Sequence, residues 1–220
     1  MADLLAGTHQ WPLFIAAGLL LNLTPGVDMA LVLRSGAAHG WRGGAVAALG
    51  VSAGCWLHIA GAALGVSTLL AGSPLAFELL RWLGAAYLVC LGLALLRNAM
   101  TRPRHGLACA RPVATLRSLF MQGFFTNALN PKVALFFLAF VPQFISAEAE
   151  HPGLAFVVLG SVFVINGTAV NLLFAALAAV TRRALTGHAC LPLLGRWLNR
   201  AAGALFVALG LKLALDAAGS

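Results

Sequence analysis

Charge is what this sequence has least of. Only 9% of its 220 residues are Asp, Glu, Lys or Arg, and only six are acids, whereas a soluble globular domain is about a quarter charged. Water is therefore not the main solvent. The four cysteines, Cys55, Cys90, Cys109 and Cys190, lie far apart and form no C-x-x-C. They signal neither a redox pair nor a thiolate metal site and read as small buried hydrophobes. No polar stretch is long enough for an extramembrane domain. Met1 to Gln10 has no basic residue, and no convincing small-residue cleavage site follows, so the first apolar run is expected to be a retained helix rather than a secretory signal.

What the chain has in abundance is apolar surface: 61% of residues are hydrophobic and the mean hydropathy is +0.93. A hydrocarbon layer of ~30 Å needs about 20 apolar residues per helix. Such runs occur at about 11–33, 44–71, 75–96, 118–145, 153–180 and 194–215. The expected fold is an all-α integral membrane protein of six transmembrane helices, a single domain over 1–220 that takes the bilayer as its partner.

A net charge of +8 would suggest nucleic acid in a soluble protein, but here the distribution of the basic residues accounts for it. Six spans create two alternating sets of connections. On one side fall Arg34, Arg42, Arg97, Arg102, Arg104, Arg111, Arg117, Arg182, Arg183, Arg196 and Arg200, eleven of the fourteen basic residues. That side is expected to be cytoplasmic. Asp3, Glu78, Glu148, Glu150 and Asp216, five of the six acids, fall on the other. Both termini are then predicted outside the cytoplasm. The basic loop at about 98–117 is topogenic, compatible with anionic lipid headgroups and not a nucleic-acid patch.

An offset of 106 aligns Leu23-Thr24-Pro25-x-Val27 with Leu129-Asn130-Pro131-x-Val133, and pairs Gly54 with Gly160 and Gly61 with Gly167. An offset of 118 aligns Val89, Leu91, Gly92, Leu93 and Leu95 with Val207, Leu209, Gly210, Leu211 and Leu213. The chain thus reads as two three-helix repeats, about 11–97 and 118–216. Three is odd, so the second repeat enters the membrane inverted, as in many secondary transporters.

Proline lacks an N–H and clashes with the carbonyl four residues back. Pro25 and Pro131 therefore break helices 1 and 4, and leave the Leu21 and Asn127 carbonyls to be satisfied at membrane depth. Breaks of this kind persist where protein groups or cavity water serve the freed backbone; Asn22, Thr24, Asn127 and Asn130 are available. A plain proline kink is the alternative. Beyond each break the helix restarts with free N–H groups suited to an anion. Asp28 follows Pro25 by one turn and Lys132 follows Pro131 directly. An unpaired charge at such depth costs ~2.5–3.5 kcal/mol or more, although Lys132 could snorkel and Asp28 could be wetted or neutralised by Arg34. Together they offer complementary groups for a small zwitterion, its amine at Asp28 and its carboxylate at Lys132 or a helix restart. Alternation of Asp28 between a proton and that amine is a direct route to proton antiport.

The expected substrate-binding residues are Asp28, Lys132, Thr24, Asn127, Asn130 and Gln122, with Pro25, Gly26 and Pro131 shaping the site; no catalytic residue, metal or cofactor is expected. His58 reads either as a proton relay or as an interhelical hydrogen bond. Gln143, Asn166 and Asn171 line a pathway or join helices. Gly50-x-x-x-Gly54 and Gly61-x-x-x-Gly65 read as close-packing surfaces. A homo-oligomer is left open.

Several of these motifs together resemble the LysE/RhtB family of bacterial amino-acid exporters. They are Thr24-Pro25-Gly26-x-Asp28, Gly84-Ala85-Ala86-Tyr87-Leu88 with Gly92, Gln122-Gly123-Phe124-x-Thr126-Asn127, Asn130-Pro131-Lys132-x-Ala134, and Pro142-Gln143-Phe144. The family's first motif usually carries a second proline where this chain has Val27. The resemblance implies an inner-membrane carrier, not an enzyme, that exports amino acids or related small molecules, driven by the proton gradient. The rival is an exporter of a metal or other inorganic ion on a related plan, which would want two or more converging acids or thiolates.

Overall fold

The computed structural model describes residues 8, 10–72, 74–100, 114–146, 149–181 and 190–218. They form α1 (Trp11–Leu23), α2 (Val27–Gly72), α3 (Pro74–Met100), α4 (Leu116–Ala128), α5 (Pro131–Leu135), α6 (Pro152–Thr181) and α7 (Cys190–Ala218). A π-helical turn, Phe136–Phe140, and a 3-10 turn, Val141–Phe144, lie between α5 and α6. Two helices, over Val27–Gly65 and Pro152–Val180, are long and apolar enough to cross a bilayer. Leu116–Ala128 and Pro131–Phe144, bent by 47°, make a third if counted as one span, and Trp11–Leu23 and Trp82–Arg97 are shorter apolar helices. The perimeter is correspondingly apolar: Leu64, Leu83, Ile165, Val180 and Leu215 are each at least 66% exposed, while Thr24, Asn127 and Asn130 are buried. This inverts the pattern of a water-soluble fold and suits a hydrocarbon solvent.

Helix boundaries follow from the residues at them. α1 stops short of Pro25, with the Thr24 N–H closing on Leu20 O at 3.0 Å. α2 resumes with Asp28 in its first turn, where a negative charge suits the helix dipole. Thr115 Oγ1 caps α4 by accepting from Ser118 N at 3.2 Å. Asn130 Oδ1 caps α5 by accepting from Lys132 N at 3.0 Å, and Pro131 occupies the first turn, where its missing N–H costs nothing.

The sequence suggests a loop over about 34–43, but helix continues to His39 and from Trp41, and the chain reverses at Gly40, with φ 71° and ψ −171°. Only glycine adopts that backbone without strain. Gly36 and Gly44 then face each other: a β-carbon at Gly44 would sit 3.0 Å from Gly36 Cα, and 2.7 Å from Ala175 Cβ of α6. Counting apolar residues ended the spans at Arg34 and Arg42, but both are exposed on helix that continues past them.

Two contacts orient the broken segments. The Ala114 N–H donates to His39 Nε2 at 3.3 Å, joining the end of the first segment to the start of α4. Thr8 pairs with Ile145, joining the start of the first segment to the end of the second. The segments therefore run antiparallel. α1 lies along α6, Gly18 against Phe163 and Asn22 against Gly167; the second part of α2 lies along α4, with Gly50 against Phe120 and Phe124 and Gly54 against Phe124 and Ala128. The second expected glycine pair differs. A β-carbon at Gly61 or Gly65 would meet nothing within 4 Å, so neither α-carbon is closely approached by another helix among the described residues.

α3 and α7 cross with matched contacts. A β-carbon at Gly92 would come within 2.6 Å of Val207 Cγ2, and one at Gly210 within 2.8 Å of Val89 Cγ2. The core lies between this pair and the rest. Phe14, Phe136, Phe137, Phe140, Phe156 and Phe206 are all fully buried there. Phe136 stacks on Phe140 with centroids 4.9 Å apart, and Phe14 meets Phe144 edge-on at 5.2 Å, spacings typical of favourable ring pairs. The π turn is held by this aromatic packing and by Gln143 Nε2, which donates to Ala139 O at 2.8 Å beside the non-donating Pro142.

Candidate functional site

Each proline leaves a carbonyl without its helical partner, and a side chain from elsewhere answers it. Leu21 O, which Pro25 cannot serve, accepts from Lys132 Nζ at 3.3 Å. Asn127 O, which Pro131 cannot serve, lies 2.9 Å from His58 Nε2 and accepts from Asn130 N at 2.8 Å. A carbonyl only accepts, so the His58 nitrogen facing it carries the hydrogen. The interhelical hydrogen bond is thus what the structure gives His58. Tyr87 of α3 braces the second restart by donating to Lys132 O at 3.1 Å.

The breaks are also tied through Asp28. Its Oδ2 accepts from Asn127 Nδ2 at 3.0 Å and Asn130 Nδ2 at 3.1 Å. Its Oδ1 is buried without a partner, and a buried charged acceptor left so costs more than the ~1–3 kcal/mol of a neutral one. No hydrogen bond joins Lys132 to Asp28: one carboxylate oxygen is free and the other takes two amides. The ammonium has three hydrogens, so a bond to Leu21 leaves donors to spare.

Both groups line one cavity of about 260 Å³ between α1, α2, α4, α5 and α6. That is roughly nine times the ~30 Å³ share of one water in the liquid, the scale of a small solute. Its apolar wall includes Val51, Cys55, Val133, Phe163 and Val164, and Pro25, Gly26 and Val27 are exposed at the first break. Asn22, Asp28 and Asn127 each present an unpartnered buried polar atom, Nδ2, Oδ1 and Oδ1 respectively.

Of the expected residues, Thr24, Gly26, Asp28, Asn127, Asn130 and Lys132 meet at this cavity. Pro25 and Pro131 stand at the breaks that form it. Thr24 is only 2% exposed and turns its hydroxyl to Leu20 O at 2.6 Å. Gln122 is the exception: it is exposed on α4, bonded to Ser118 Oγ at 3.1 Å, and does not line the cavity. Asn171 lines it, as does a pair that no motif singled out, Ser52 and Thr168, with hydroxyl oxygens 2.6 Å apart. Each of these hydroxyls also approaches the carbonyl four residues back. Two hydroxyl hydrogens serve at most two of these three contacts, and lone pairs left on the hydroxyl oxygens can accept from a ligand or water. Tyr87 had a signal: it is the chain's single tyrosine. Arg102, Arg104, Arg111, Arg182, Arg183 and Cys109 lie outside the described residues.

The family profile described as LysE type translocator matches residues 19–217. The chain is 34% identical over 205 residues to a homoserine/homoserine lactone efflux protein of Salmonella typhi, covering 93% of this chain and 95% of that one. It is 35% identical over 156 residues to a leucine efflux protein of Klebsiella pneumoniae subsp. pneumoniae, covering 70% and 71%. A membrane protein of Vibrio cholerae is 31% identical over 210 residues, covering 94% and 97%. No solved structure matches the chain.

Proposed function

The chain belongs to the LysE type translocators, so it is a transporter rather than an enzyme, and from that premise we propose that it exports amino acids or closely related small zwitterions from the cytoplasm across the inner membrane. Homoserine and leucine, the cargoes named for its relatives, are the first candidates. One observation carries the reading: a cavity of solute size holds a carboxylate with one free buried oxygen and, on the opposite broken segment, an ammonium. Asp28 Oδ1 takes the substrate amine, and Lys132 takes its carboxylate. Thr24, Asn127 and Asn130 hold the polar remainder, while Pro25, Gly26 and Pro131 keep the backbone open. With the cavity empty, a proton satisfies the same Asp28 oxygen, which couples export to proton entry.

We read the architecture as six spans in two inverted three-helix repeats, about 11–97 and 118–216. The antiparallel broken segments and the exchanged contacts of α3 and α7 support this. At offset 118 the contact of Gly92 with Val207 maps onto that of Gly210 with Val89, as a two-fold relation requires. The end bearing His39 and Ala114 is cytoplasmic, near Arg34, Arg42 and Arg117, and both termini lie outside.

A metal or inorganic-ion exporter fits less well. The described residues hold no group of three or more His, Cys, Asp or Glu fit for a metal ion, and a lysine ammonium in the same cavity opposes a cation. The test is export itself. Overexpression should lower internal and raise external homoserine or leucine, and Asp28→Asn should abolish this. Undiminished export by Asp28→Asn would refute the assigned role.

A further inference from the structure

We propose that Asn22 is a substrate ligand, a neutral amide that donates to a carboxyl oxygen of the bound amino acid beside Lys132, and that Gly167 is glycine because a β-carbon there would press on the Asn22 side chain. This rests on the reading of the cavity as an amino-acid site and assigns its second pole.

Asn22 is the last polar residue before the first break, and its side chain lines the cavity. Its Nδ2 is buried with no partner. Folding leaves few buried amide donors unserved, and the residue that carries this one lines a space large enough for a solute. The free polar atoms sort by sign. Asp28 Oδ1 and Asn127 Oδ1 accept, and are suited to an ammonium. Asn22 Nδ2 donates, and so does Lys132 Nζ, which already sits on the carbonyl of the adjacent residue, Leu21, 3.3 Å away. Two donors at one pole and two acceptors at the other match the carboxylate and amine of an α-amino acid, whatever its side chain. The amide is held in place from behind. A β-carbon at Gly167 would lie 3.0 Å from Asn22 Oδ1 and 3.2 Å from Cγ and Nδ2, tighter than most such contacts, so a larger residue there displaces the Asn22 amide by a few tenths of an ångström.

The roles of Asn22 and Asp28 separate with ligands that lack one pole. The purified, detergent-solubilised protein is titrated with L-homoserine and L-leucine, and with the amines that lack only their carboxylate, 3-aminopropan-1-ol and 3-methylbutylamine. Asn22→Ala should weaken binding of the amino acids at least tenfold and change binding of the amines less than twofold. Asn22→Asp should be worse than Asn22→Ala for the amino acids, because it sets an anion against their carboxylate. Gly167→Ala should reproduce the selective loss through displacement of Asn22, whereas Gly61→Ala, whose added carbon meets nothing within 4 Å, should leave all ligands unchanged. Asp28→Asn should weaken amino acids and amines alike. An Asn22→Ala protein that binds amino acids as the parent does, or loses amines equally, overturns the assignment of Asn22 while leaving the cavity an amino-acid site. A parent protein that binds neither amino acid overturns that site as well.

Discussion

The two proline breaks share a sequence motif and are held in different ways. The second is largely self-supporting: Asn130 N closes on Asn127 O, Asn130 Oδ1 caps Lys132 N, and Leu129 N reaches Phe125 O. The first has less of its own: Thr24 closes on Leu20 O through its N–H and its hydroxyl, but no described side chain of its own segment caps the restart or serves the freed carbonyl. Leu21 O depends on Lys132 from the other segment, and Asp28 beyond the break takes its two hydrogen bonds from Asn127 and Asn130. The second break is thus a platform that positions the first. A carrier needs some part of its site to rearrange between its two open states, and on this comparison the segment around Pro25 is the part with fewer internal ties.

The asymmetry can be broken outright at Asn130, which serves both sides. Asn130→Ala removes an N-cap, ~0.5–2 kcal/mol, and a hydrogen bond to a carboxylate, ~1.5–3 kcal/mol. A loss of about 2–5 kcal/mol is expected by denaturation in detergent, together with loss of export. Lys132→Met comes next. It leaves the Leu21 carbonyl unserved, for about 1–3 kcal/mol, and adding Pro25→Ala should recover much of that by returning a helical N–H. Equal instability of the single and double variants would remove the link between the lysine and the first break.

The opposite arm is His58→Phe. Asn127 O keeps its backbone donor, so the expected loss is only about 0.5–1.5 kcal/mol, and a loss matching that of Lys132→Met would mean the second break is no more self-supporting than the first. The smallest effect belongs to Gln122→Ala, exposed and outside the cavity. Stability should stay within about 0.5 kcal/mol, and export should be unchanged.

Much of the site was legible in the chain. Two prolines flanked by polar residues marked the breaks, and one acid and one lysine among apolar neighbours marked the charged groups of the cavity. Gln122 does not reach the cavity for a geometric reason open to reading: it precedes Asn127 by five residues, about 140° around a helix, so the two do not share a face. Asn22 was legible only as a polar residue near a break, because its contact with Gly167 joins segments far apart in the chain. The glycine pairs were ambiguous in the same way: Gly50 and Gly54 meet α4, while a β-carbon at Gly61 or Gly65 would meet nothing within 4 Å among the described residues, although their spacings are identical.

The sequence by itself determined the solvent and the interruptions. Too few charges and long apolar runs demand lipid, and proline removes an N–H wherever it stands. Only the tertiary structure decided which groups answer the freed carbonyls and which atoms are left unpaired. Hydrogen bonds are short and directional, so partners a hundred residues apart are chosen by how helices cross, and that crossing is set by aromatic and glycine contacts spread through the whole fold.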